Sequence, residues 1–103
     1  MNRKELGRIG EDAAVRFAAG KGLRILARNW RFSRMGEVDI IAQEGDTLCF
    51  IEVKARSGNL YGSPAEAVSP AKRKTITSLA RIYMQQNNVH DRPVRFDVIE
   101  VFL

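Results

Sequence analysis

Apolar residues recur at helical spacing near the start of the chain. Leu6, Ile9, Ala13 and Phe17 form one stripe, which predicts a helix over 4–21 with Gly20 and Gly22 as stop signals. Residues 23–30 then read as a strand with Leu23 and Ile25 on one face, and Arg31-Phe32-Ser33-Arg34-Met35-Gly36 as a basic loop or frayed strand end. A short apolar strand over 38–42, a turn at Glu44-Gly45-Asp46 and a strongly β-prone strand over 47–54 follow. Residues 57–64 carry Gly58, Gly62 and Pro64 and read as a loop. Ser69-Pro70 supplies an N-cap and a first-turn proline for a helix over 70–86, with Ile76, Leu79, Ala80 and Tyr83 inward. The last strand, 94–102, is apolar at Val94, Phe96 and Val98. The order α-β-β-β-α-β predicts an α/β domain. Three strands form a meander and a fourth returns after a helical crossover, giving a mixed sheet flanked by helices.

Two carboxylates and a lysine interrupt the apolar strands, in Gly36-Glu37-Val38-Asp39-Ile40 and Phe50-Ile51-Glu52-Val53-Lys54. An ionised carboxylate is costly to desolvate without a partner. With Gly45-Asp46 as the central turn residues, Asp39 falls directly opposite Glu52, and Glu37 opposite Lys54; a three-residue loop would break this register. Opposed like charges repel unless a cation joins them, and Mg²⁺ favours carboxylate oxygens. Glu52 and Lys54 are two apart and share a face, so Lys54 reaches toward whatever the carboxylates hold. The competing reading is a salt-bridge cluster of Glu37, Asp39, Glu52 and Lys54 that closes a sheet end. Glu11 lies off the centre of the first helix's apolar stripe, among Gly7, Ala14 and Ala18. That rim of small residues could lie close to the sheet and aim Glu11 at the acidic strands; a solvated helix-edge glutamate is the alternative.

Composition adds limits. The 103 residues fit one domain, 1–103, with 45% hydrophobic and 28% charged residues. The single cysteine, Cys49, excludes an intramolecular disulfide and a Cys-cluster zinc site, and its apolar setting predicts a buried reduced thiol. The start is charged, not an apolar leader, and no apolar run is long enough to span a bilayer; a cytoplasmic protein with no membrane partner is the default expectation. Seventeen Lys and Arg against twelve Asp and Glu give a net charge of +5, and Arg pairs bidentately with phosphate, so the balance favours a polyanion partner. No Ser-His-Asp arrangement or Gly-rich phosphate loop stands out, and His90 reads as an ordinary surface residue.

An acidic residue, a spacer and then Glu-x-Lys on the next strand resembles the signature of the restriction-endonuclease-like superfamily. Several further segments sharpen this: Gly7-x-x-Gly10-Glu11, Ala27-Arg28-Asn29-Trp30-Arg31, Gly36 to Ile41, Phe50 to Lys54 with Arg56, Tyr61-Gly62-x-Pro64-x-Glu66-Ala67-Val68, Lys72, Tyr83 and Arg95-Phe96-Asp97-Val98. Together they resemble the YraN family of bacterial proteins over nearly the whole chain. That family is similar in its core to archaeal Holliday-junction resolvases. The resemblance implies a restriction-endonuclease-like core and phosphodiester cleavage dependent on Mg²⁺ or Mn²⁺. It maps the catalytic set to Glu11, Asp39, Glu52 and Lys54, and the metal ligands to Asp39, Glu52 and the backbone carbonyl of Val53. A homodimer follows by the analogy with junction resolvases alone.

Candidate substrate contacts surround these motifs. Arg28, Arg31 and Arg34 alternate with Trp30 and Phe32, which either grip phosphates and stack bases or cap the core while the arginines face water. Arg56 follows the Glu52 strand, and Lys72, Arg73 and Lys74 crowd a helix N-terminus, where cations oppose the macrodipole and a bound anion would relieve them. Arg31, Arg34, Arg56 and Lys72 are the expected nucleic-acid contacts. Three functions compete: a metal-dependent nuclease acting on DNA, branched or junction DNA included; a non-catalytic nucleic-acid-binding module of the same fold; and a protein-interaction domain with a structural ion cluster.

Overall fold

The computed structural model describes residues 2–56 and 68–103. The expected 57–64 loop and the Tyr61–Ala67 part of the family motif lie outside the described residues. The elements are α1 (Arg3–Gly20), β1 (Arg24–Phe32), β2 (Gly36–Glu44), β3 (Thr47–Arg56), α2 (Pro70–Gln86) and β4 (Val94–Phe102). Polar caps fix both helix starts: Asn2 accepts from the Glu5 N–H and Ser69 from the Lys72 N–H, with Pro70 in the first turn. β1 and β2 each run further than their apolar residues alone suggest. Arg31 and Phe32 belong to β1, leaving Ser33-Arg34-Met35 as the turn.

The strands lie in the order β1-β2-β3-β4. The first two pairings are antiparallel, and β4 returns parallel to β3 through the α2 crossover. This is the α-β-β-β-α-β mixed sheet expected of a restriction-endonuclease-like core. The β2–β3 hairpin closes on Gly45, whose positive φ (59°) suits glycine, and keeps the two-residue-turn register from Glu44↔Thr47 to Ile40↔Ile51.

Each face of the sheet carries one helix. On the α2 face, Val38, Ile41, Leu48 and Phe50 pack against Ile76, Leu79, Ala80 and Tyr83, the four residues expected inward. Trp30 meets the Tyr83 ring edge-on at 5.4 Å and Phe32 joins the same core, so both aromatics serve packing. On the α1 face lie Ala14, Ile40, Ala42, Cys49 and Ile51. Cys49 is a buried free thiol.

One expectation needs correction. The Leu6-Ile9-Ala13-Phe17 stripe is not the face that α1 buries: Phe17 is 56% exposed, whereas Gly10, Ala14 and Ala18 are buried. Small side chains let the helix lie close on the sheet, which a phenylalanine on the contact line would prevent. The approach is closest at Gly10, where a Cβ would stand 2.5 Å from the Ala55 Cβ. Gly7 has open space around it. Ala at either position gains the same helix propensity, about 1 kcal/mol, so comparing the two isolates the clash. Gly10→Ala should be less stable than Gly7→Ala by about 1–3 kcal/mol in urea unfolding; equal midpoints would show that α1 is not seated on Ala55.

Candidate metal centre

The site begins with a break in the β1–β2 pair. Asn29 takes a left-handed backbone (φ 51°), a conformation that Asn tolerates better than most residues. Arg28↔Ile40 and Trp30↔Val38 keep one register on either side of Asn29; the register shift of this strand pair lies earlier, between Ile25 and Ala27. Residues two apart on a strand ordinarily share a face. Here Ile40 lies in the α1-side core and Arg28 reaches Asp12 of α1 at 2.7 Å, while Val38 and Trp30 pack on the α2 side. The strand pair therefore turns over at Asn29 and Asp39, and Asp39 is freed from the ordinary alternation.

At the same level the β2–β3 ladder stops, its last pair being Ile40↔Ile51. The next N–H, that of Val53, donates instead to Asp39 Oδ2 at 2.8 Å. A residue's N–H and C=O point to the same neighbouring strand, so the Val53 carbonyl also faces this gap. The expected pairing of Glu37 with Lys54 does not form, because β2 has left β3 by then. Glu37 sits opposite Arg31 of β1 and pairs with its guanidinium at 2.8 Å.

Three acids meet in the gap: one carboxylate oxygen from each of Glu11, Glu37 and Asp39 lies within 4.8 Å of the others. Glu11 arrives on α1 one residue after the tight Gly10 contact, so the small-residue face aims it at the strands. Burial raises the Glu11 pKa, and the Asp39 charge raises it further, against a lowering contact with the Asn29 side chain. Glu52 stands on the α2 side and is 4% exposed. Burial pushes its carboxyl up to about 8, the adjacent Asp39 carboxyl acts in the same direction, and Lys72 opposes both. Its Oε1 has no hydrogen-bond partner among the described residues, although the Lys72 Nζ lies 3.3 Å away.

A divalent cation fits this donor set. The groups are hard oxygens, they crowd together, and the ammonium present does not offset burial and Asp39. Asp39 is the shared member: it accepts from the Val53 N–H, adjoins Glu52, and lies within 4.8 Å of oxygens of Glu11 and Glu37. Lys54 lies two residues beyond Glu52 on the same strand face and makes no ion pair among the described residues. Of the expected phosphate contacts, Lys72 is bound to Glu52 and Arg31 to Glu37, both at the site's rim. Arg34 is exposed in the β1–β2 turn. Arg56 pairs with Glu100 of β4 at 3.6 Å, with its side chain 21% exposed. A cleft of about 360 Å³ between α2 and β4, lined by Arg73, Thr77, Phe96 and Val98, ends on Glu52.

Comparison with known proteins places this arrangement in a family. The model of the uncharacterised protein family UPF0102 matches residues 10–101. The chain belongs to the UPF0102 family. It is 49% identical over 102 residues to a UPF0102 protein of Acetivibrio thermocellus, covering 99% of this chain and 78% of the relative. It is 48% identical over 103 residues to one of Clostridioides difficile, covering 100% and 90%. UPF0102 is the YraN family of the sequence resemblance.

Two residues beside the acids, Glu37 and Asn29, fall within the motif segments but outside the catalytic and metal sets that the resemblance implies. Glu37 is two residues from Asp39, and that spacing is a signal for a shared face. Asn29 carries none, because the left-handed turn it makes leaves no periodic mark.

The Glu52 shift has a consequence for the protein without metal. Between pH 4.5 and about 8 the folded chain holds a proton that the unfolded chain has released. Stability therefore falls as pH rises through that window. Melting in chelator should show this fall, and Glu52→Gln should flatten it. Parallel pH profiles for the two proteins would mean that Glu52 titrates normally.

Proposed function

We propose that the protein is a Mg²⁺- or Mn²⁺-dependent nuclease that hydrolyses phosphodiester bonds in DNA, with branched or junction DNA as the substrate class to test first. The observation that carries this reading is the Glu52 carboxyl, sealed in the sheet beside Asp39, whose Oε1 has the Lys72 ammonium 3.3 Å away but no well-formed hydrogen bond among the described residues. An acid pair at a sheet end with one member buried and the other half-buried is costly unless a cation completes it.

In this reading Asp39, Glu52 and the Val53 carbonyl hold the cation, and Glu11 supports it from α1. When bound, Mg²⁺ or Mn²⁺ supplies Lewis-acid polarisation of the phosphodiester and makes its water more acidic. Lys54 faces the same space, where its ammonium orients the attacking water and neutralises charge that builds on the phosphoryl oxygens. The water oxygen bonds to phosphorus and gives up one proton to solvent, the bond to the leaving sugar oxygen breaks, and that oxygen takes up a proton from solvent. The Val53 N–H holds Asp39 in place throughout, so the ligand enters the reaction already oriented.

The test is incubation with plain, flapped and four-way DNA, with and without Mn²⁺. The reading expects metal-dependent cutting, lost by a factor on the order of 10²–10³ or more in Asp39→Asn, Glu52→Gln or Lys54→Ala. Asp39→Asn keeps an oxygen for the Val53 N–H, so its metal-free melting point should match or slightly exceed that of the wild type. A structural ion cluster would instead lose about 3–5 kcal/mol on the same change. DNA binding with no cutting in either metal would make the protein a non-catalytic nucleic-acid-binding module.

A further inference from the structure

We infer that Lys72 is the cation that Glu52 holds before a divalent ion does, and that loading the site releases this ammonium to a phosphate of the nucleic-acid backbone. The inference rests on the nuclease reading and adds to it a coupling between metal and substrate.

Three observations lead here. First, the Lys72 Nζ lies 3.3 Å from Glu52 Oε1, yet that oxygen lacks a hydrogen bond in good geometry among the described residues. The contact has no directed seat, and a competitor with stronger affinity for oxygen can take its place. Second, the partners differ in freedom. The Glu52 side chain is 6% exposed and fixed in the sheet, whereas the Lys72 side chain is 43% exposed and carries its charge on a flexible stem. When two cations meet at one carboxylate, Lys72 is the one that can leave. Third, Lys72 stands in the first turn of α2, where Ser69 caps its N–H and no acidic residue is present. A positive charge there opposes the helix dipole, and the Glu52 carboxyl, 3.3 Å away, is the acidic group set against it. Once Glu52 is engaged elsewhere, Lys72 needs another anion, and Arg73 and Lys74 beside it make that end of the helix attractive to phosphate.

Metal and phosphate then bind cooperatively through one side chain, and each strengthens the other by the same factor. This differs from a lysine that simply touches DNA, which would bind phosphate equally with or without metal.

The experiment has two arms. In the first, Mn²⁺ alone is titrated into wild-type protein, Lys72→Met and Lys72→Gln by calorimetry. Removing the internal competitor should tighten Mn²⁺ binding, by a factor within the roughly 5–150-fold range of ordinary couplings. In the second, binding of a labelled four-way DNA is followed against salt with and without Mn²⁺, in a Lys54→Ala background that suppresses cutting. Adding Mn²⁺ should steepen the slope of log K against log salt by about 0.9 more with Lys72 present than with Lys72→Met, the share of one duplex phosphate contact. Melting curves in chelator confirm that the variants are folded, and Lys72→Gln keeps a polar group beside Glu52 should Lys72→Met fold poorly. Equal or weaker Mn²⁺ binding by folded variants, or identical slopes, would overturn the exchange while leaving the nuclease reading intact. A wild type that binds no Mn²⁺ would overturn both.

Discussion

Where β2 parts from β3, the Val53 N–H would be left without a backbone acceptor, and the Asp39 carboxylate takes that place at 2.8 Å. A donor left unmade in the interior costs about 1–3 kcal/mol, and for the half-buried Val53 this bond offsets part of that cost where the sheet end opens. It also pins the acid that the rest of the site depends on. Glu52 projects beside it, Glu11 and Glu37 come within reach of it, and the strand alternation points the Val53 carbonyl into the same gap. The opening is prepared one strand earlier, where the left-handed Asn29 turns β1 and β2 over together.

Charge balance shapes the surroundings. Four carboxylates collect at this end of a protein whose net charge is +5. Arg31 answers Glu37, Arg28 answers Asp12 beside Glu11, and Lys72 answers Glu52. Arg31 is 72% exposed, so its pair contributes little to stability, about 0–1 kcal/mol. The Glu52–Asp39 contact is different, because one member is buried. Burial outweighs the single ammonium and leaves Glu52 with a raised pKa. A dipositive ion is the economical way to hold both acids ionised near neutral pH.

Much of this was legible in the sequence where local rules decide it. The inward face of α2 follows from helical spacing, and the β2–β3 register follows from one two-residue turn. Glu11 follows from the small residues around it, once size is weighed with hydrophobicity. Counting apolar residues alone selects Phe17, which is exposed, over Gly10, which touches the sheet. The rest depends on contacts distant in sequence. Nothing near Arg56 foretells Glu100, which reaches it only because β4 returns parallel to β3. Nothing in the alternation of β2 foretells the reversal at Asp39, so Glu37 is expected beside Lys54 and is found beside Arg31. The motif marks Glu11, Asp39 and Glu52, but their arrangement comes from a break in the pattern that the motif interrupts.

The claim on which the account turns is that the paired acids hold a divalent cation. Crystals grown in chelator and then soaked in Mn²⁺ test it directly through the anomalous scattering of manganese. The account predicts a strong anomalous peak at the Asp39 and Glu52 carboxylates, absent from Glu52→Gln crystals treated alike. A map with no peak there, and the Lys72 ammonium still seated on Glu52 at saturating Mn²⁺, would contradict it.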